Sequence, residues 1–248
     1  MRRTIMGIPI DVVTRAEAVA TVRRFLDEPR AHIVTTPNPE MLVDARRDAA
    51  FSAALRSADL AIPDGHGLVF ISRLNGTPLP ERVTGTDLVA DLASAAAEKG
   101  KTVFLLGGQN GAGERAKAAL VRAHPALRIV GVMEGGTLTR ATDGAWQTPD
   151  DVLSVIRAAA PDILLVAFGH GKQETWISAH IADMPSVRVA VGIGGAFDFI
   201  GGRAQRAPAW MRALWLEWVW RLIREPRRLG RICKAAIVFP LLALTSKD

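Results

Sequence analysis

"KTVFLLGGQNGAGERA", residues 101–116, decides the fold. After Thr102 the run is apolar, without the polar alternation of a strand that keeps one face in water, so it reads as a strand buried on both sides. Gly107 and Gly108 end it. From Gly113 helical spacing takes over. A buried strand, a glycine-rich loop and a helix start in one short stretch are half of a β-α-β unit.

Moving outward, the same alternation fills the first 195 residues. "AHIVTT" (31–36), "ADLAIP" (58–63), "LRIVGVM" (127–133), "DILLVAFG" (162–169) and "VRVAVGIGG" (187–195) read as further buried strands. Residues 14–26, 39–55, 84–99, 113–123, 149–159 and 172–182 carry helical periodicity, and Thr14 with Glu17 forms a capping box. Residues 135–150, "GGTLTRATDGAWQTPD", read as a loop. The expectation is an α/β, Rossmann-like fold: a mainly parallel sheet with helices on both faces. After Gly202 only helical patterns remain. The chain therefore divides into an α/β domain over 1–202 and a helical carboxyl-terminal appendage over 203–248.

The opening stretch also raises a ligand question. Gly107, Gly108, Gly111 and Gly113 suggest a dinucleotide loop, and Glu134 ends the next strand where a ribose-binding acid would stand. The spacing is not G-x-G-x-x-G, however, and close packing of helix on strand explains the glycines as well. A nicotinamide-dependent oxidoreductase remains an alternative at this point.

In open parallel sheets ligands bind beyond the carboxyl ends of the strands, so the polar residues there are candidates. "TTPNPE" offers Thr36 and Asn38, either of which also reads as a helix cap. "IPDGHG" offers Asp64, a general base in one reading and an Asx turn in another. Arg82 precedes a helix capped by Thr84 or Thr86, an arrangement that suits an anion. "GKQETW" places Gln173 at a helix start, and "GIGGAFDFIGG" places Asp198 after a glycine-rich turn. There is no zinc-ligand spacing, no Walker A loop, no G-x-S-x-G elbow and no Asp-x-Asp pair, so neither a metal nor a cofactor is called for.

Charge separates the two regions. Of 248 residues with a net formal charge of +6, the last 48 hold ten Lys+Arg against three Asp+Glu, and the first 200 hold 21 against 22. An anionic partner is expected for the tail alone. Arg221, Arg224, Arg228 and Arg231 have the spacing of one helical face, which Pro226 divides if it starts a second helix, while Trp210, Leu214, Trp218 and Leu222 repeat every fourth residue. The apolar run 235–244 is half the length a membrane span needs and contains Pro240, so an interfacial helix is read, beside the plainer reading of a core-facing helix with a solvated basic side. Basic charge with tryptophan also suits stacking on nucleic acid, but the apolar run has no purpose there, and no nucleic-acid partner is expected. One cysteine, Cys233, excludes an internal disulfide and suits a reducing compartment. The start of the chain is not read as an export signal, because Pro9 and Asp11 interrupt its apolar run. The expected place is cytoplasmic, at the inner face of the cell membrane.

Taken together, "GIPID", "TTPNPE", "ADLAIPDGHG", "ERVTGTDL", "LLGG", "GKQETWI", "GGAFDFIGG", "RAPAWMR" and "LEWVWRLIREPRR" resemble, in order and spacing, the WecG/TagA/CpsF family of bacterial glycosyltransferases. The resemblance covers almost the whole chain. It implies an inverting, metal-independent transfer of a sugar from a UDP-sugar to a polyprenyl-diphosphate-linked saccharide in cell-surface polysaccharide synthesis. Asp64 matches the family's general base, and Thr36, Asn38, Arg82, Gln173 and Asp198 match its pocket. Arg221, Arg228 and Arg231 match appendage arginines placed near the lipid diphosphate or an anionic membrane surface. Association into a homo-oligomer through the catalytic domain is also implied. The chain departs from the family pattern at Gly171, where proline is usual, at "EGGTL" (134–138), where an aromatic is usual, and in having no tyrosine.

Overall fold

The computed structural model describes residues 1–205, 207–208, 210–211, 217–224, 226 and 229–246, without the side chains of Glu217 and Arg221. At its centre lies a six-stranded parallel sheet of β3 (His32–Thr35), β4 (Leu60–Ala61), β5 (Thr102–Gly107), β6 (Arg128–Met133), β9 (Ile163–Ala167) and β10 (Val189–Gly192), in the order β4-β3-β10-β9-β5-β6. All six are the strands predicted from sequence.

Successive residues of these strands enter different cores. Val34, Val103, Leu105, Ile163, Leu165, Val189 and Val191 pack with helices α1 (Arg15–Phe25), α5 (Gly85–Lys99), α6 (Ala112–Ala123) and α9 (Ala196–Ile200). Their neighbours Ile33, Phe104, Leu106, Leu164, Val166 and Ala190 pack with α7 (Asp150–Ala159) and α8 (Lys172–His180) on the opposite face. Alternation of side chains across a strand, with both faces apolar, is what makes the sheet a two-sided core. In the opening stretch, a Cβ on Gly113 would stand 2.7 Å from Val132 Cγ1, so close approach of α6 to β6 requires glycine there. The packing explanation for that glycine is the observed one.

The chain builds outward from β3 to β4, crosses to β5 and β6, and returns inward through β9 to β10. From β9 it passes to α8 on one face, and from β10 to α9 on the other. Their loops part above the carboxyl edge of the sheet and open a crevice there, as a topological switch point does.

Four features differ from the sequence expectation. Residues 39–55 form two helices, α2 (Pro39–Ala45) and α3 (Ala49–Arg56), because Asp48 accepts the Phe51 N–H and caps the second. A helix α4 (His66–Leu74) follows β4. An antiparallel hairpin, β1 (Arg2–Ile5) and β2 (Ile8–Asp11), turns through Met6 and Gly7 with φ of 51° and 74°. Its Asp11 accepts the Ala61 N–H of edge strand β4 at 2.8 Å and pairs with Arg2. The loop 135–150 carries a short antiparallel pair, β7 (Thr139–Arg140) and β8 (Trp146–Gln147).

Beyond residue 202 the described structure is helical, as expected: α10 (Glu217–Arg224), then a C-terminal helix running through Leu229–Cys233, Lys234–Val238 and Phe239–Thr245. The middle segment is a π-type turn. Pro240 follows it and has no N–H to give the preceding turn, and a local change of helical pitch accommodates that loss. Phe239 is fully buried among Met41, Leu42, Leu68 and Ile71, in a core shared with α2, α4 and the hairpin. That one burial contributes about 1.5–3 kcal/mol toward holding the helix on the body. Arg228 and Leu214, named from sequence, lie outside the described residues, as does the side chain of Arg221.

Candidate active site

The loops at the carboxyl edge enclose a cleft of about 1500 Å³. Thr36, Asn38, Asp64, Arg82, Gln173, Asp198 and Arg231 all line it, which brings together every described residue predicted for the site.

Asp64 ends β4 on a loop tied to its neighbour. The Asp64 N–H donates to Pro37 O at 2.8 Å, and the Val83 N–H donates to Pro63 O at 2.9 Å. Gly65 follows with φ of 136°, and a Cβ there would meet Pro39 Cδ at 2.7 Å, so the turn that presents Asp64 needs glycine. The carboxylate receives Arg82 Nε at 3.3 Å and the Gly85 N–H at 3.4 Å. Arg82 also places Nη1 2.9 Å from His66 Nε2. Gly85 opens α5, capped by the Thr84 hydroxyl at 3.2 Å from the Asp87 nitrogen. Among the described residues, Asp64 thus sits beside the Arg82 guanidinium and the amino terminus of α5, both of which favour anions.

The remaining predicted residues divide by what their side chains already hold. Asn38 caps α2, its Oδ1 accepting from the Met41 N–H at 3.0 Å. Thr36 is buried, with its hydroxyl 3.5 Å from Gly192 O. Gln173 is 3% exposed and ties α8 to the loop after β10: its Oε1 accepts from the Gly194 N–H at 3.0 Å and its Nε2 donates to Glu174 Oε1 at 2.8 Å. Glu174 also accepts the Gly171 N–H at 2.7 Å. Complete burial pushes the Glu174 carboxyl above its ordinary pKa, against the pull of those two donors. Asp198 keeps Oδ1 buried without a hydrogen bond among the described residues, with Arg203 Nη1 3.8 Å from it. Glu134 also lines the cleft, where it accepts the Gly111 N–H at 2.9 Å and so ties the glycine loop to β6.

Several groups at the cleft were not assigned from sequence. Lys172 starts α8, with its ammonium 4.6 Å from the centre of the Trp146 ring on the β7–β8 hairpin. Trp220 and Arg224 of α10 reach the cleft from the other side. Trp220 Nε1 donates to Gln205 O and Arg224 Nη2 to Gln205 Oε1, each at 3.1 Å. Arg224 was named from the arginine spacing of the tail, but without a place at the cleft.

The densest charge cluster joins α2 to the C-terminal helix. Arg231 Nε donates to Glu40 Oε1 at 2.7 Å and Oε2 at 3.0 Å, and Lys234 Nζ donates to Asp44 Oδ1 at 2.7 Å. His170 lies between them, with Nε2 3.1 Å from Asp44 Oδ2 and Nδ1 3.3 Å from Arg231 Nη2. Burial opposes charge on Asp44, but Lys234 and His170 outweigh it and hold the carboxyl below its ordinary pKa. Glu40, Asp44 and His170 are the described residues grouped closely enough to ligate a cation. Arg231 and Lys234 already supply positive charge at that spot.

The geometry can be set beside known proteins. The model of the glycosyl transferase WecG/TagA/CpsF family matches residues 3–247. An N-acetylglucosaminyldiphosphoundecaprenol N-acetyl-beta-D-mannosaminyltransferase of Bacillus spizizenii is 34% identical over 208 residues, 84% of this chain and 77% of the relative. Its namesake in Bacillus subtilis strain 168 is 32% identical over 223 residues, 90% and 82% of the two chains. One from Staphylococcus aureus strain MRSA252 is 29% identical over 231 residues, 92% and 87%.

Proposed function

This chain belongs to the WecG/TagA/CpsF family of glycosyltransferases, and from that premise we propose that it moves an N-acetylhexosamine from a UDP-sugar to a polyprenyl-diphosphate-linked N-acetylglucosamine, with inversion and Asp64 as general base. The observation that carries the reading is Asp64 at the cleft's edge, on a loop fixed by backbone hydrogen bonds, with Arg82 beside it. The acceptor sugar is the one in the names of the relatives, and so is the mannosamine we favour for transfer.

In this mechanism the acceptor hydroxyl gives its proton to the Asp64 carboxylate as its oxygen attacks the anomeric carbon. A new C–O bond forms there as the bond to the diphosphate breaks, and UDP departs with the electron pair. Negative charge develops on the departing oxygen, and Arg82 with the amino terminus of α5 stands where that charge is stabilised. Lys172, at the start of α8, adds a second cation at the same carboxyl edge of the sheet. Thr36, Asn38 and Asp198 hold the sugars, and Gln173 holds the Gly194 loop against which they rest.

The acceptor lies in a membrane, and the surface beside the cleft suits one. Among the described residues no helix is long and apolar enough to cross a bilayer. Trp210, Trp218, Ile223, Ile237, Leu241 and Leu244 nevertheless stand largely exposed along residues 203–248, and Phe70 and Leu74 do so on α4. Exposed apolar side chains next to Arg224, Arg231 and Lys234 suit an anionic bilayer surface, with Arg221 and Arg228 contributing from the same segment. Arg231 engages Glu40 and His170 through Nε and Nη2, and Nη1 has no partner among the described residues, so we assign it to the lipid diphosphate. We take 203–248 as the appendage that brings the protein to the membrane from the cytoplasmic side.

The test is release of UDP from a panel of UDP-N-acetylhexosamines, with a soluble polyprenyl-diphosphate N-acetylglucosamine analogue as acceptor. Release that depends on both substrates supports the reading. Release with neither the mannosamine nor any other UDP-sugar overturns it.

A further inference from the structure

Resting on the reading that the tail meets the lipid-linked acceptor, we propose that Glu40 and Asp44 are positioning residues that seat the C-terminal helix at the acceptor side of the cleft. The "E" of "TTPNPE" then serves the tail, although it stands among the strand-end residues that face the substrate.

The spacing supports this. Glu40 and Asp44 are four apart on α2 and lie on one helical face, while Arg231 and Lys234 are three apart on the facing helix. Each acid meets one base, at 2.7 Å in both cases. The first pair is nearly bidentate, since Arg231 Nε reaches both Glu40 oxygens. Glu40 is also the more enclosed partner, its side chain 11% exposed against 47% for Arg231. A carboxylate held that far from water needs its cation, whereas the arginine can be solvated. His170 completes the cluster from the loop after β9, so the helix is registered against one strand-end loop as well as α2.

Apolar burial alone does not fix this register. Phe239 and Ala243 lie on the same helix beyond the π-type turn, and they hold that end against α2 and α4. The end carrying Arg231 is held by charge. Loss of the charge pairs would leave the helix anchored at Phe239 and loose at the cleft.

The experiment combines hydrogen exchange with kinetics on the full chain. Glu40→Gln keeps shape and removes charge. Amides 229–238 are expected to exchange about tenfold faster or more, the range for a lost charged hydrogen bond, while those near Phe239 change less. KM for the acceptor analogue is expected to rise by about the same factor, with KM for the UDP-sugar within about twofold. Lys234→Met, on a half-buried side chain outside the buried core, is expected to loosen the same amides. Glu40→Lys with Arg231→Glu is expected to recover much of what either change loses alone. Unchanged exchange at 229–238 in both Glu40→Gln and Lys234→Met overturns the proposal, and so does a reversed pair no better than its worse half. A rise in donor KM equal to that of the acceptor reassigns Glu40 to the donor pocket. Because exchange needs no substrate, these outcomes stay distinct from failure of the proposed reaction.

Discussion

Residues 1–200 carry 21 basic against 22 acidic side chains, and the last 48 carry ten against three. The two regions meet at one cleft and build it by different means. In the first, polar groups are placed by backbone: the Asp64 loop is tied by main-chain hydrogen bonds, and Gln173 and Asn38 spend side-chain atoms on loop and helix ends. In the second, the placing is done by ion pairs and one buried aromatic, and much of its apolar surface faces outward. A region fixed by backbone tolerates surface change and fails when a reacting atom is altered. A region fixed by a few side chains can be detached while the fold survives.

The largest effect expected from this contrast belongs to the first region. Asp64→Asn preserves the shape but cannot take the acceptor proton, so kcat should fall roughly 10²–10⁴-fold. UDP affinity, read by isothermal titration, should change little. Activity close to that of the parent would return Asp64 to the role of a turn residue.

Phe239→Ala is the matching test of the tail. Removing a fully buried aromatic costs about 3–5 kcal/mol at the site. Because the ring sits between the tail and α2/α4, the expected signature is rapid exchange over 229–246 with protection in β5, β9 and β10 retained. Uniform loss of protection throughout the sheet would mean that the two regions fold as one unit.

Arg82→Ala comes next. A charged hydrogen bond to the departing diphosphate contributes about 1.5–3 kcal/mol, so UDP binding should weaken by roughly ten- to a hundredfold. Unaltered UDP affinity would leave Arg82 as the partner of Asp64 and His66 alone.

The contrast also decides what was readable in advance. The six central strands were legible because each is short, apolar on both faces and bounded by glycine or proline. Asp64 and Asp198 were legible as cleft residues because a polar residue past a buried strand falls at the carboxyl edge, and Arg82 because it precedes a capped helix. Helix α4 was not, because "HGLVFISRL" (66–74) is apolar enough to pass for a strand and its start has no side-chain cap. The β1–β2 hairpin was hidden by its brevity and by Pro9. The Glu40–Arg231 pair spans 191 residues, and no local pattern reports a contact across that distance. The complementary i, i+4 acids and i, i+3 bases were visible separately, but nothing in the sequence matched one to the other.

Vesicle binding should respond more weakly than any of these. Each arginine near an anionic surface adds about 1 kcal/mol, and salt screens it. Changing Ile237, Leu241 and Leu244 to Ser should remove the salt-resistant part of pelleting with anionic vesicles, and Phe70→Ser with Leu74→Ser should reduce it further. If the three tail changes leave salt-resistant binding intact, the exposed stripe is not the lipid contact.

The smallest expected effect is a pH dependence confined to the tail. Asp44 titrates below its ordinary value of 3.8, because Lys234 and His170 outweigh the opposing effect of burial. A depressed carboxyl contributes stability that is fully present above the unfolded pKa and is lost as pH falls through the folded one. The contribution of Asp44 to docking of the C-terminal helix should therefore be complete above about pH 3.8 and be lost as pH falls below it. Glu174 has the opposite sign: burial raises its pKa above 4.5, so its contribution is present in acid and is lost as pH rises through the folded value. It cannot produce a loss on acidification. Asp59 and Asp162 are depressed like Asp44, Asp59 held by the Ile33 N–H and Arg30, Asp162 by Thr102 and Lys101. Those groups belong to the opposite end of the sheet, and their protonation should loosen β3 and β5 instead. Protection of amides 229–238, normalised to intrinsic exchange rates and followed from pH 6 to pH 3, separates the two ends. In Asp44→Asn the tail's acid-dependent component should disappear, while that of the strands persists. An unchanged acid profile at 229–238 in that variant would mean that Asp44 does not hold the helix, and the charge-built half of the comparison would rest on Glu40 alone.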